Sequence, residues 1–450
     1  MNTIKKIAAC AGSTWAMALF LSQNVWAGIP IQHWVQPSGA KVFLVESPAI
    51  PMVDVQLDFD AGSRRDPPEQ SGLASAVSSM SDKGVLAQKG HAALDENALS
   101  EAWADLGAGF GATATQDRLS FSLRSLTYPD LLPQAVQLAA RQLGAPAFPD
   151  AIWQRERERW RAAIRQANTR PATLAQQAFS SAVYGAHPYG VDTTEATLAR
   201  ISTPDMRQRY AQWVRACRAQ ATVVGAVNRA QADRLVTELL ANLPASDCPV
   251  LPPVAEVAPL AKAVEQRIAF DSAQAHVLMG QPGIRRDDPD YFALTVGNYI
   301  LGGGGFVSRL THEVREKRGL TYSVYSYFSP ARHAGAFTVG LQTRPDQAAQ
   351  AVQVTKEVVA QFVADGPTEA ELKAAKDNLI GGFALRIDSN RKLLDNVASI
   401  AWNDLPLDYL DTWTQAVAQV GVADIKRAFA RHLQPDRMVT VVLGATQAPR

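Results

Sequence analysis

Residues 301–328 read LGGGGFVSRLTHEVREKRGLTYSVYSYF. The four consecutive glycines lack side chains, so a ligand or another chain can approach their backbone closely. The predicted substrate-binding backbone consists of Gly302, Gly303, Gly304 and Gly305. A phosphate site is disfavoured, because the loop has neither the lysine of a Walker motif nor the third glycine of a dinucleotide-binding motif.

An amphipathic helix is predicted after the glycines, over residues 306–318. Val307, Leu310 and Val314 recur at helical spacing and define its apolar face. Gly319 supplies the left-handed residue at which helices commonly end.

A strand is predicted next, over residues 321–328, because hydroxyl-bearing residues alternate there with bulky aromatic and β-branched ones. Arg315 on the helix and Tyr322 at the start of the strand are the two side chains of this stretch with the clearest chemical potential. Taken alone, an arginine on a solvated helix and a tyrosine in a strand would be unremarkable surface residues.

The length and charge of the chain limit its class. At 450 residues it is too long for one ordinary domain, and two domains of roughly 200 residues are expected. Apolar residues make up 47% of the chain, enough for substantial cores. The 44 basic and 43 acidic residues nearly cancel, which gives no electrostatic support for a nucleic-acid or anionic-membrane partner.

The N-terminus resembles a secretory signal. Lys5 and Lys6 precede an apolar run over residues 7–21, and a cleavage site is expected after Ala27. We therefore predict that residues 1–27 are a signal peptide, that the mature protein is periplasmic or secreted, and that it has no membrane anchor. Cys217 and Cys248 could then form a disulfide, although spacing alone does not decide whether they meet.

The chain contains an internal duplication. GSRRDPP at residues 62–68 recurs as GIRRDDP at 283–289, and TVVGA at 222–226 recurs as TVVLGA at 440–445. FPDAI at 148–152 and GPTEA at 366–370, each opening a charged helix, also correspond. Matches in the same order at nearly constant spacing indicate two homologous domains.

The predicted organisation is α+β, with a largely antiparallel sheet and helices packed on one face in each domain. The stretch at residues 244–263 is rich in proline. It cannot form a regular helix or a central strand and is assigned as a linker. The predicted segments are an N-terminal domain at 28–243, the linker at 244–263 and a C-terminal domain at 264–450.

The motifs of several enzyme classes are absent: H-E-x-x-H, H-x-x-E-H, paired Cys-x-x-Cys, a Walker loop and G-x-S-x-G. The seven histidines are scattered singly, and single histidines are more often structural than catalytic. His312 has no second histidine one helical turn away, so it is not expected to bind a metal.

Despite these absences, the sequence resembles the pitrilysin/insulinase-type inverzincin metallopeptidases, the family that includes mitochondrial processing peptidase. The resemblance rests on residues 301–328, GSRRDPPEQSGL at 62–73, HPYG at 187–190 and Pro149 followed by RERE at 155–158. It spans nearly the whole mature chain. It implies paired α+β domains arranged as half of a clamshell.

The zinc-binding motif is the main departure from that family. Catalytic members carry H-x-x-E-H directly after a Gly-Leu-Ala, whereas SAVSS follows it here at 75–79. The degenerate zinc-motif positions are Ser75, Ser78 and Ser79, together with Ala163 at the place of the third ligand. Neutral hydroxyl and methyl groups cannot replace imidazoles and carboxylates. We therefore predict that this chain binds no metal and needs no cofactor.

The resemblance implies that Arg315 and Tyr322 are catalytic residues that complete a partner's site. Tyr322 would donate to the oxyanion of the scissile carbonyl, and Arg315 would bind a carbonyl or carboxylate of the peptide. The implied partner is a homologous zinc-bearing peptidase subunit, and a peptide strand would pair with an edge near Leu44 or in residues 121–126. A homodimer remains open.

Two alternatives are retained. The chain could be an inactive scaffold or peptide-binding protein with no peptidase role. It could also be an autonomous enzyme with Ser75, Ser78 or Ser79 as nucleophile, but no base lies near them in sequence.

Overall fold

The computed structural model describes residues 28–88, 90–244 and 248–444. The predicted signal peptide, residues 1–27, lies outside the described residues. Two mixed sheets organise the chain, one of six strands and one of five. The first sheet contains β1 (Gln32–Val35), β2 (Lys41–Glu46), β3 (Met52–Phe59), β4 (Gly109–Ala114), β5 (Leu119–Leu126) and β6 (Gln220–Gly225). The second contains β7 (Val264–Ile268), β8 (Ala275–Pro282), β9 (Val324–Phe328), β10 (Ala336–Thr343) and β11 (Val439–Leu443).

The strand orders confirm the duplication. They are β1-β2-β6-β3-β5-β4 in the first sheet and β7-β11-β8-β10-β9 in the second. Each sheet contains one parallel pair, β2 with β6 and β7 with β11, and its other pairs are antiparallel. The repeated TVV segments form the equivalent strands β6 and β11. The prediction of mainly antiparallel α+β units is thus confirmed.

Helices follow the strands in both halves. The first half contains α1 (Leu73–Met80), α2 (Glu96–Asp105), α3 (Leu132–Gly144), α4 (Asp150–Ala167), α5 (Pro171–Tyr184), α6 (Glu195–Ala199), α7 (Thr203–Trp213) and α8 (Arg229–Leu240). The second contains α9 (Tyr291–Asn298), α10 (Ala348–Asp365), α11 (Glu369–Gly381), α12 (Asn390–Trp402), α13 (Tyr409–Gln419) and α14 (Val422–His432). Among the described residues, no helix combines the length and apolarity needed to cross a bilayer.

One helix of each half also packs on the sheet of the other half. Helix α5 packs on β8 and β11, and α12 packs on β6 and β3. Phe179 of α5 lies in a shared core with Leu278 and Val441 of the second sheet. The helix approaches so closely that a Cβ on Gly280 would lie 2.9 Å from the Phe179 ring. A prediction of helices on only one face is therefore incomplete, because the opposite face receives a helix from the other half.

The predicted peptide-pairing edges are wrong. Leu44 lies in β2, between β1 and β6, and residues 121–126 lie in β5, between β3 and β4. Both strands are paired on two sides and have no free edge. The edge strands of the first sheet are β1 and β4.

Cys217 and Cys248 form a disulfide. The bond joins the end of the first half to the proline-rich stretch that follows it. The sequence left this pairing open, and the structure decides it.

Candidate functional site

Three of the four glycines pack against their own half of the chain. Gly302 lies in a π-helical turn, Tyr299–Gly303, where an added Cβ would come within 2.6 Å of the Ser326 nitrogen. Added Cβ atoms on Gly303 and Gly304 would lie 2.8 Å from the Asn298 side chain and 2.7 Å from the Tyr299 oxygen. The expectation of an open backbone is therefore wrong for these three residues, and their substrate-binding role stays a prediction.

The end of α9 and the π-helical turn that follows it pack against β9, which is an edge strand. The Asn298 amide donates a hydrogen bond to the carbonyl oxygen of Ser326 at 3.0 Å, and the Ser326 hydroxyl donates to the Asn298 oxygen at 2.7 Å. Of these four glycines, Gly305 alone has open space around it, and its φ of +61° is in the region that favours glycine.

The predicted helix over 306–318 begins later than expected. Gly305–Val307 form a short 3-10 turn, and Ser308 is extended, with φ −81° and ψ 150°. The Ser308 hydroxyl accepts a hydrogen bond from the Thr311 N–H, which is typical of a residue that caps a helix. Val307 is consequently 73% exposed, and its prediction as an apolar-face residue is wrong.

The rest of this helix matches the expectation. Leu310 and Val314 are fully buried. Gly319 has φ +61°, and its N–H donates to the Arg315 carbonyl at 2.9 Å, which closes the last turn. The strand after it is shorter than predicted, since β9 starts at Val324.

Arg315 and Tyr322 lie together at the surface. The guanidinium carbon of Arg315 is 5.2 Å from the centre of the Tyr322 ring and 4.7 Å from the centre of the Phe306 ring. Tyr322 is 82% exposed and Phe306 70% exposed. Cation–π attraction to two rings holds the guanidinium in place without consuming its N–H donors.

The acidic residues near Arg315 already contact other side chains. Glu313 forms ion pairs with Lys317 and Arg318 at 2.6 and 2.8 Å, and Glu316 contacts His312 at 3.0 Å. Within residues 28–88, 90–244 and 248–444, Arg315 forms no ion pair. Its charge is therefore available to a carbonyl or carboxylate of a ligand.

The serines at the zinc-motif positions lie on α1. Ser75 and Ser79 are one helical turn apart and share a face of the helix, as two metal ligands would. Ser78 is buried. The buried Ser79 hydroxyl has no hydrogen-bond partner in the part of the chain that the structure describes. A neutral hydroxyl is nevertheless a poor zinc ligand.

Ala163 lies on an exposed part of α4, seven residues after Glu156. Glu156 is buried, and Arg155 and Arg159 neutralise it at 3.1 and 2.7 Å. Neither residue offers a free carboxylate towards α1. The residues at the four motif positions therefore do not fit catalytic zinc, and no reaction step is assigned to a metal in this chain.

One group of potential metal ligands occurs elsewhere among the described residues: Asp288, Asp290 and His432. Contacts within the fold explain its arrangement, because the His432 ring and the Arg431 guanidinium lie 3.0 and 3.1 Å from the Asp290 carboxylate. The nearby guanidinium opposes binding of a cation.

A buried polar junction joins the two halves, and the sequence did not single out its central residue, Asp117. The Asp117 carboxylate accepts hydrogen bonds from Arg64 at 2.8 Å and from the Tyr189 hydroxyl at 2.5 Å. It also accepts one from the backbone N–H of Arg332, in the second half, at 3.0 Å. Segments 62–68 and 187–190, which carry the family resemblance, thus meet at this junction.

Two family models match the chain. Residues 41–197 match the model described as insulinase (peptidase family M16), and residues 200–379 match the model described as peptidase M16 inactive domain. Together they cover strands β2 to β6 of the first sheet, the zinc-motif positions, Arg315 and Tyr322.

Individual proteins resemble the chain over most of its length. An uncharacterized zinc protease of Streptomyces coelicolor is 26% identical, with 92% of this chain and 89% of that protein covered. Helicobacter pylori YmxG, described as a non-peptidase homolog, is 26% identical, with 90% and 91% covered. The crystal structure of a peptidase M16 inactive domain from Pseudomonas fluorescens is 34% identical and has a TM-score of 0.87, with 93% of this chain and 99% of that chain covered.

Proposed function

Because the chain belongs to the insulinase (peptidase M16) family, as a member of its inactive type, we propose that it is a non-catalytic subunit of a heteromeric periplasmic zinc metallopeptidase. Its partner would be a homologous subunit that carries the zinc motif. The two chains would form a clamshell of four homologous domains around an unfolded peptide. The observation that carries the proposal is the exposed, mutually packed pair Arg315 and Tyr322 in a chain whose zinc-motif positions hold only serine and alanine.

The proposed work of this chain is to hold the peptide and stabilise charge. The Tyr322 hydroxyl would donate a hydrogen bond to the scissile carbonyl oxygen as it becomes negative. The Arg315 guanidinium, oriented by the rings of Phe306 and Tyr322, would bind a neighbouring carbonyl or carboxylate. The zinc of the partner would supply the Lewis acid and the activated water.

The first sheet offers a place for the peptide backbone. Strand β4 is an edge strand, and alternate residues of such a strand present N–H and C=O groups without a strand partner. Added Cβ atoms on Gly109 and Gly111 would meet nothing within 4 Å, so a peptide can approach this edge closely. An extended segment would add to β4 as a further strand.

The periplasmic location has chemical support. The disulfide between Cys217 and Cys248 is of a kind that persists in oxidising compartments and is rare in the cytosol. Its position at the start of the proline-rich stretch would fix the path of the chain between the two sheets.

The test is to co-express the chain with a zinc-bearing homologue, purify the complex and measure cleavage of an unfolded peptide. We expect the partner alone to cleave slowly, and the complex to lose activity when this chain carries Tyr322→Phe or Arg315→Ala. Tyr327→Phe, in strand β9, is the control. A partner that is fully active alone and indifferent to Tyr322→Phe would leave this chain as a scaffold or peptide-binding protein.

A further inference from the structure

A pocket of about 380 Å³ opens beside Tyr322, where α5 from the first half crosses the second sheet. Ala172 and Gln176 of α5 form one wall, and Tyr322 and Tyr325 form the other. Leu278 of β8 lies in its floor. Residues of both halves thus form the pocket, because α5 of the first half packs on the second sheet.

The pocket is uncharged. Its lining contains no aspartate, glutamate, lysine or arginine. His276 lines it as well, and burial lowers the pKa of that imidazole below its usual value, which favours the neutral ring. A charged group entering the pocket would lose hydration without gaining a counter-charge.

Amide groups surround the apolar floor. Gln274 and Gln342 line the pocket, and within the described residues their hydrogen bonds use backbone atoms and leave the side-chain amides without a partner. Each amide can both donate and accept a hydrogen bond. A peptide backbone offers the matching groups on either side of one side chain.

We propose that this pocket receives one large uncharged side chain, aliphatic or aromatic, from the extended peptide that Arg315 and Tyr322 hold. The inference rests on the proposed function, since it assigns a specificity subsite to the same peptide. The volume is at the lower end of the range of ligand pockets, about 300–1,000 Å³, which suits a single bulky residue with its flanking backbone. Tyr322 forms a wall of the pocket and packs on Arg315, so it connects the subsite to the reacting bond.

The experiment measures binding to the full chain without any partner. Fluorescent, otherwise identical extended peptides carry alanine, leucine, phenylalanine, lysine or glutamate at one central position, and anisotropy gives each Kd. We expect the leucine and phenylalanine peptides to bind about tenfold or more tightly than the alanine peptide, because their side chains leave water. The lysine and glutamate peptides should bind no better than the alanine peptide.

Variants of α5 identify the pocket. Ala172→Trp fills its mouth and should remove the preference for leucine and phenylalanine. Gln176→Glu places a charge in its wall and should raise affinity for the lysine peptide. Ser181→Trp and Ser181→Glu, at an exposed position of α5 outside the pocket, are the matched controls and should change neither preference.

The outcomes separate this inference from the proposed function. Equal affinity for all peptides, no binding, or a preference that Ala172→Trp leaves intact would overturn the subsite, even if Tyr322→Phe still abolishes cleavage by a partner. Selective binding that disappears in Ala172→Trp and shifts towards lysine in Gln176→Glu would establish it, even if no partner peptidase is activated.

Discussion

Arg309 and Glu371 form a bidentate ion pair, with two nitrogen–oxygen distances of 2.7 Å. The pair joins the segment that carries Arg315 to the first turn of α11. Glu371 also accepts a hydrogen bond from the Thr368 N–H at 2.7 Å, within the capping box of that helix. A change at Glu371 therefore reaches both the helix end and the segment beside the candidate site.

This arrangement predicts a pH dependence of stability. The hydrogen bond from Arg309, the largest effect, together with those from Thr368, lowers the pKa of Glu371 from 4.5 to about 2. Because the folded state holds this proton more weakly than the unfolded state, the contribution of Glu371 is fully present above about pH 4.5 and is lost as the pH falls towards 2. Glu371→Gln should lower the Tm at neutral pH and flatten its fall over that interval.

The control for the pH experiment is Glu369→Gln, in the same helical turn. It should leave the Tm profile close to that of the unmodified chain. Parallel Tm curves for the Glu371→Gln variant and the unmodified chain between pH 2 and 4.5 would contradict the assignment.

Because Asp117 joins the two halves, we expect its replacement by alanine to lower the stability of the protein strongly. In Asp117→Ala, the buried Arg64 keeps only its pair with Asp60, and the Arg332 N–H loses its acceptor. Removing one member of a buried ion pair costs about 3–5 kcal/mol, which urea denaturation would detect. Asp287→Ala removes an exposed pair with Arg285 and should cost less than about 1 kcal/mol.

Helices α5 and α12 each pack on the sheet of the other half, so we expect the two halves to unfold together. Phe179→Ala, in the first half, opens a cavity against the second sheet and should cost about 3–5 kcal/mol. Hydrogen exchange should then increase in β8 and β11 as well as in α5. Leu385→Ala, at a residue 67% exposed, is the control. Confinement of the faster exchange to α5 would show that the halves are independent.

The zinc-motif serines predict that the purified chain does not retain stoichiometric zinc after dialysis against zinc and then against buffer, as metal analysis would show. The double variant Ser75→His and Ser79→His should raise the zinc content, because two imidazoles one helical turn apart on the same face of α1 can bind one zinc ion together. One tightly held zinc per unmodified chain would contradict the account.

We expect loss of the Tyr322 hydroxyl to lower kcat of the complex. Loss of one donor to a developing oxyanion lowers kcat by about 10²–10³-fold, so Tyr322→Phe should reduce turnover far more than peptide affinity. A rise in KM with an unchanged kcat would place Tyr322 in ground-state binding instead. Tyr327→Phe should change neither constant.

The sequence predicted the features that local patterns encode. The repeated GxRRD and TVV segments revealed the duplication, and Gly319 marked the end of a helix. The start of that helix was missed, because apolar spacing gave Val307 more weight than the capping signal of Ser308. A serine three residues before Thr311 would have indicated the later start.

Features that depend on the arrangement of distant segments were not predictable in this way. The apolar spacing of Ala175, Phe179 and Val183 defines a buried face of α5 but does not reveal which sheet covers it. The order of strands in a sheet is also not visible in the sequence. Nothing in the sequence around Leu44 shows that β1 pairs with its strand, β2, and removes the free edge. Asp117 has no distinguishing neighbours in sequence, and only its partners Arg64, Tyr189 and Arg332 reveal its role.

The exchange of helices also constrains how the protein is made. Helix α5 emerges from the ribosome long before β11, one of the two strands on which it packs, which ends at Leu443 and lies between β7 and β8 in the second sheet. Until that strand is synthesised, Phe179 has no complete surface to pack against. The first half therefore waits for residues 439–443, and a stop before residue 439 would leave both halves unfinished rather than one.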